Sequence, residues 1–491
     1  MKCPQYISLH LAALLPALLC ISCSGPANIK DAIVNHPGSF YHVNFGKYPK
    51  NDPTLPVGVF DSGTGGLSVL ADIVQHEGLA RESYIYMGDM ANMPYGSYSL
   101  ENNTELLVEH VIKDVQFLLG NKYYRSGDAR KPQTDKKQVK AIVIACNTAT
   151  AFALDTVKRF LEEAGLDIGV IGVIDAGATG AFGNFSPGED GSIAVMATDG
   201  TVKSGAYPEA IILKNRNDGQ VENIRVFQQA GIGIAEAIDE SHDAIDRKAT
   251  SPRADYKGPA ESGSGDMKIE TDLWKRYDFD LASGALLFDG DSANPRNIQI
   301  NSVENYIAFH VVSLMEKIRK TEGALPLNSV VLACTHYPFF TETFRNEFLR
   351  LRDYIENGEY IYRHLIAEDL ILVNPAVEVA DQLYGLLASE QLLNEGTGEG
   401  CEFYISVPNL LNRKAVLRDD GSFTYEYKYG RKAGEIQEYV KVVPFSRQSI
   451  PDDVLKRLSV QIPGVWDLIT GFNTASPRTG YMDPSERITG E

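Results

Sequence analysis

Positive charge is what this 491-residue sequence has too little of. Its 46 Lys and Arg stand against 65 Asp and Glu, a formal net charge of −19. A nucleic-acid binder needs a basic face to displace counterions, so that class is excluded. Cysteine is also scarce: six residues cannot staple a scaffold of this size. No His/Cys cluster shows metal-ligand spacing, which predicts no metal site. Beyond the first 25 residues no segment approaches 18 uninterrupted apolar residues, so no further membrane span is expected. Hydrophobic residues at 44% and charged residues at 23% exclude a largely disordered chain. What remains is a large acidic globular protein of about three domains, an enzyme or a binding protein.

The first 22 residues read as a secretory signal. Lys2 precedes an apolar stretch from Leu11 to Ile21, followed by small residues. Cys20-Ile21-Ser22-Cys23-Ser24-Gly25 resembles a bacterial lipobox, with Cys23 as the lipidated new N-terminus and Cys20 where Leu is commoner. Residues 23–56, rich in Pro, Asn, Gly and Lys, then read as a lipid-anchored tether that lifts the body off a membrane.

Short apolar runs recur after that: Val57–Phe60, Tyr84–Met87, Ala141–Ala145, Ile168–Ile174, Ile193–Ala197, Val330–Ala333 and Ile371–Val373. Helical stretches such as Glu105–Leu119, Ala149–Glu163 and Val303–Arg319 lie between them. Buried strands alternating with helices predict α/β architecture with parallel sheets, and chemistry just past the C-terminal strand ends. Residues 121–137 read as a surface loop and 240–295 as a long, partly flexible insertion. Residues 397–491 read as a small β-rich appendage, with strands over Phe403–Val407, Phe423–Tyr429 and Tyr439–Pro444.

Two strand ends look alike. One runs Ile142-Val143-Ile144-Ala145-Cys146-Asn147-Thr148-Ala149; the other runs Val330-Val331-Leu332-Ala333-Cys334-Thr335-His336-Tyr337-Pro338. This weak repeat suggests two related halves. A lone Cys past a strand is commonly just a small buried hydrophobe, and in an exported chain the pair could form a disulfide. The matched contexts favour another reading. Two thiols on opposite halves could flank one carbon, one taking a proton as thiolate while the other returns one as thiol. Racemisation of an amino acid requires that geometry, because the proton leaves one face and arrives on the other.

These residues resemble the glutamate racemases of the aspartate/glutamate racemase superfamily. The resemblance rests on Val59-Phe60-Asp61-Ser62-Gly63-Thr64-Gly65-Gly66-Leu67, Gly88-Asp89, Pro94-Tyr95-Gly96-Ser97, the two cysteine motifs, and Ala197-Thr198, Gly200-Thr201-Val202 and Ser204-Gly205-Ala206-Tyr207, in order over residues 57–380. It implies two pseudo-symmetric doubly wound parallel-sheet domains with the active site between them. These would be residues 57–170 with 372–396, and residues 171–371. It implies Cys146 and Cys334 as acid/base thiols, with Asp61 and His336 as their polar partners. Ser62, Pro94, Tyr95, Gly96, Asn147, Thr148 and Thr335 would bind the substrate, an acidic amino acid. No cofactor and no metal are implied, and a homodimer is compatible.

The sequence departs from that pattern in two places. Met90-Ala91-Asn92-Met93 stands where the family usually has an Arg before Pro-Tyr-Gly, which bears on substrate preference. The family's Glu near the second Cys is matched best by Asp239, with Glu236 and Glu240 as alternatives. The leader predicts export to the periplasm, with the membrane met only through the lipid. Within the superfamily, an aspartate or hydantoin racemase is the nearest alternative. A noncatalytic amino-acid- or peptide-binding lipoprotein is the alternative of another class.

Overall fold

The computed structural model describes residues 26–186, 188–219, 221–291, 294–396 and 400–490. The leader and Cys23 lie outside the described residues. In chain order the strands are Val57–Asp61 (β1), Tyr84–Gly88 (β2), Ala141–Ile144 (β3), Gly169–Gly172 (β4), Gly191–Ala197 (β5), Ile224–Ala230 (β6), Leu286–Asp291 (β7), Asn294–Ile300 (β8), Leu327–Ala333 (β9), Ile355–Glu356 (β10), Glu359–Tyr360 (β11), Ile366–Val373 (β12), Glu402–Pro408 (β13) and Val440–Pro444 (β14).

Every residue of β1, β2 and β3 is buried, and so is every residue of β5 and β9. Strands covered on both faces read as continuous apolar runs, which is why these five were visible in the sequence. They organise two sheets. The first has the order β14-β13-β2-β1-β3-β4 and is parallel except for β14. The second has the order β12-β9-β5-β6 and is parallel throughout. The chain is therefore α/β, built on two parallel-sheet units. Register aligns the C-terminal ends: Asp61 lies beside Gly88, Phe60 beside Ile144, and Ala197 beside both Ala230 and Ala333.

Four segments differ from expectation. Residues 26–56 are not a free tether from residue 29 onward. Ile29, Ala32, Ile33, Tyr41, Val43 and Tyr48 are buried in the core of the first sheet. Ile29, Ala32 and Ile33 follow helical spacing on the helix Ile29–Val34, which Asn28 caps by accepting from the Asp31 amide at 3.0 Å. Tyr48 donates to the Val139 carbonyl at 2.7 Å. The polar composition of the segment masks these few apolar anchors.

The strand expected over Ile168–Ile174 stops at Gly172, and Val173 and Ile174 open the helix Val173–Gly180. A short apolar run does not by itself distinguish a strand from a buried helix turn.

The insertion expected over 240–295 is anchored to the second core at several points along its length. Ala244, Ile245, Ile269, Tyr277 and Phe279 join the second core, and the Asn305 side chain donates to the carbonyls of Asp280 and Ala285.

The C-terminal segment is not a separate β-rich appendage. β13 and β14 extend the first sheet, and the helices Asp452–Gln461 and Pro463–Ala475 follow. Phe423–Tyr429, expected as a strand, overlaps the helix Tyr425–Gly430, whose cap Thr424 accepts from the Tyr427 amide. The aromatic run suggested a strand, but the capping hydroxyl and local turn prevail.

Candidate active site

Asp61 ends β1 and is buried. Its Oδ2 accepts from the amides of Gly63 at 3.2 Å and Gly66 at 2.9 Å, which folds the Asp-Ser-Gly-Thr-Gly-Gly stretch into a tight turn. A Cβ on Gly66 would sit 2.5 Å from the Asp61 Cβ, so only glycine allows this approach.

Cys146 stands two residues past β3, at the N-cap position of the helix Asn147–Glu163. Its thiol donates to Ser62 Oγ at 3.7 Å. Burial, then the neighbouring Asp61 charge, push the thiol up to about 12, against the pull of the Ala149 amide and Ser62. Burial and Asp61 thus favour the neutral thiol form of Cys146.

Cys334 follows β9 directly and is equally buried. Its sulfur lies 3.6 Å from His336 Nδ1, and His336 Nε2 lies 3.2 Å from Asp239 Oδ1. Burial works against a charge on His336, but its hydrogen bonds to Asp239 and Cys334 overturn that and lift it to about 10. Burial likewise opposes charge on Asp239, and His336 and Arg457 together hold it below the usual carboxylate value. The two cysteines thus stand in unlike surroundings, one beside a carboxylate and one beside an imidazolium. Both are free thiols.

Asn147 connects the halves. Its Nδ2 donates to the Ala333 carbonyl at 3.2 Å, and its Oδ1 accepts from the Tyr207 hydroxyl at 3.0 Å. Thr335 faces the first half as well, since a Cβ on Gly65 would lie 2.8 Å from Thr335 Oγ1. A small, partly open cavity is lined by Thr64, Gly65 and Ser68 of the first half, by Thr335 and His336 of the second, and by Arg457 and Leu458.

The remaining expected residues are placed as follows. Ser62 and Thr148 are half-buried, with Ser62 on the Cys146 sulfur and Thr148 in the first turn of the helix behind it. Pro94 is exposed, and its carbonyl accepts from the Ser97 amide at 3.4 Å. Gly96 opens the short helix Gly96–Leu100, close to Gly200 of the second half. Tyr95 directs its hydroxyl to carboxylates of the first half, buried between Asp89 Oδ2 and Asp114 Oδ2 and 2.6 Å from each. Among the described residues no three His, Cys, Asp or Glu side chains converge as metal ligands would. The sequence reading missed Arg457, whose ion pair with Asp239 spans 218 positions. Nothing local distinguishes it from any other arginine on an amphipathic helix.

No protein-family model matches the chain. Among curated proteins it is similar to the glutamate racemase of Oceanobacillus iheyensis, 38% identical over 168 residues, 34% of this chain and 50% of that one. It is also similar to the glutamate racemase of Lactobacillus helveticus, 33% identical over 188 residues, 38% of this chain and 57% of that one. The chain spans about half the length of the curated relatives it matches. Among solved structures, a glutamate racemase isoform from Bacillus anthracis aligns with a TM-score of 0.42 at 21% identity, over 71% of this chain and 87% of that one. The Francisella tularensis glutamate racemase in complex with D-glutamate aligns with a TM-score of 0.40 at 21% identity, over 78% and 95%.

Proposed function

We propose that the chain is a cofactor-independent amino-acid racemase of the two-thiol kind, acting on glutamate or a related acidic amino acid. The observation that carries this is the pair of buried free thiols at the ends of inner strands of two parallel sheets, joined through Asn147. The curated glutamate racemases that match part of the chain support the substrate class.

In the forward direction Cys334, as thiolate beside the His336 imidazolium, takes the Cα proton. The C–H bond breaks, an S–H bond forms, and the electron pair stays on carbon. Cys146 gives its thiol proton to the opposite face, leaving a thiolate at Cys146 and the inverted amino acid. Turnover of the other enantiomer runs the same steps backward, or exchange with solvent resets the pair. Asp61 and His336 act through the sulfurs they flank, and Asp239 holds His336. Ser62, Asn147, Thr148 and Thr335 line the place where a substrate's carboxylates and ammonium would bind. The leader sequence supports an exported, lipid-anchored form of this enzyme.

The test is Cα deuterium exchange and optical inversion of L- and D-glutamate in deuterium oxide with the reduced protein. Cys146→Ala and Cys334→Ala should each lose inversion by about 10²–10⁴-fold, the usual range for a positioned acid or base. Inversion that survives in both variants would overturn the two-thiol mechanism. Absence of exchange with every acidic amino acid would overturn the racemase reading.

A further inference from the structure

The helix Asp452–Gln461 buries Leu455 and Leu458 and turns Arg457 inward. The Arg457 guanidinium meets Asp239 Oδ1, the same oxygen that lies 3.2 Å from His336 Nε2. The order is therefore Cys334, His336, Asp239, Arg457, and its last member comes from outside the stretch that carries the racemase motifs. Two cations share one carboxylate oxygen. Asp239 alone would neutralise the imidazolium; with Arg457 the group of three carries one net positive charge beside Cys334. Arg457 also walls the cavity whose other faces are Thr64, Gly65 and Ser68 of the first half and Thr335 and His336 of the second.

We propose that Arg457 is a positioning residue of the Cys334 half-site, through which the C-terminal segment fixes the rotamer of Asp239 and sets how firmly His336 holds its proton. It rests on the racemase reading only for its kinetic consequence. The titratable and charged groups facing this pair are Cys334 from the turn after β9, His336 two residues on, Asp239 from the turn after the helix Ile234–Ile238, and Arg457. Positive charge at Arg457 repels the imidazolium and competes for its acceptor. Removing it leaves His336 the undivided claim on Asp239, so the imidazole holds its proton to higher pH. It also lets the Asp239–His336 pair, still bonded to each other, shift together relative to the sulfur, which lowers kcat without releasing the proton.

The experiment uses the full reduced protein with ¹³C-labelled histidine, the His336 signal assigned by its absence in His336→Asn. In Arg457→Ala the His336 titration should move up by about one pH unit. The upper pH limit of kcat/KM should move with it, and kcat should fall about tenfold. Arg457→Lys keeps the charge and should recover most of both effects. An unmoved His336 titration in Arg457→Ala would overturn the proposal. So would equal damage by Ala and Lys with no change in the pH profile, because that marks a merely structural contact. Should the wild type racemise no acidic amino acid, the racemase reading fails, while the titration still decides the role of Arg457.

Discussion

The side-chain amide of Asn147 donates to the main-chain carbonyl of Ala333 at 3.2 Å, tying the residue after one cysteine to the residue before the other. The carbonyl of Ala333 has no freedom to move without moving Cys334. Asn147→Ala leaves that carbonyl and the Tyr207 hydroxyl without this partner. The expected cost is about 1–3 kcal/mol of unfolding free energy, together with a loss of inversion larger than the loss of substrate binding. Urea unfolding and separate kcat and KM values check this. Unchanged kcat would show that the two halves are held in register by other contacts.

Asp61 raises the cost of ionising Cys146, while its Oδ2 also organises the turn through Gly63 and Gly66. Asp61→Asn separates the two effects, since an amide oxygen can still accept from both amides but carries no charge. The Cys146 thiol should then ionise more readily, and its alkylation by iodoacetamide at pH 8 should be about threefold faster or more. Peptide mapping by mass spectrometry reads the rate at each cysteine. An unchanged or slower rate would mean that burial alone governs this thiol.

His336 is lifted to about 10, above an unfolded value of about 6.5. A histidine raised by folding stabilises the native state fully below about pH 6.5, and that contribution is lost as pH rises through about 10. His336→Asn should therefore be less stable than wild type near pH 6, and the gap should close between about pH 6.5 and 10. Denaturant melts of both proteins across that range make the comparison, with other groups cancelling in the difference. A gap that stays constant with pH would show that His336 is not held as an imidazolium.

Tyr95 bridges Asp89 and Asp114, both buried. Burial raises both carboxyls above their ordinary range, and each raises the Tyr95 hydroxyl further. Tyr95→Phe should destabilise the fold by about 1–3 kcal/mol and leave KM within about twofold, well under the factor of ten that 1.4 kcal/mol of binding represents. A large rise in KM with unchanged stability would instead return the hydroxyl to the substrate.

How much could be read from the sequence follows burial. β1, β3 and β9 are apolar on both faces, so their runs and the Cys146 and Cys334 ends stood out. β6 did not. It lies at the edge of the second sheet, only Gln229 and Ala230 are fully buried, and Arg225, Gln228 and Gln229 break the apolar run. Asp239 could be nominated from its sequence setting, but its partnership with His336 needed the fold. The Tyr95 motif was visible while the direction of its hydroxyl was not, because that depends on Asp114 in a helix formed later in the chain. Arg457 is the extreme case, a residue whose pairing with Asp239 exists only once a distant helix has docked.

The burial of Ile29, Ala32 and Ile33 also limits the geometry of any membrane attachment. Only Ser24, Gly25, Pro26 and Ala27 separate Cys23 from the cap residue Asn28. Fully extended, that stretch reaches about 17 Å. A lipid on Cys23 would therefore hold the folded body on a short leash, within about 17 Å of the headgroups at the cap residue. The Ile29–Val34 helix, which follows directly on that leash, would then be the part of the body nearest the headgroups.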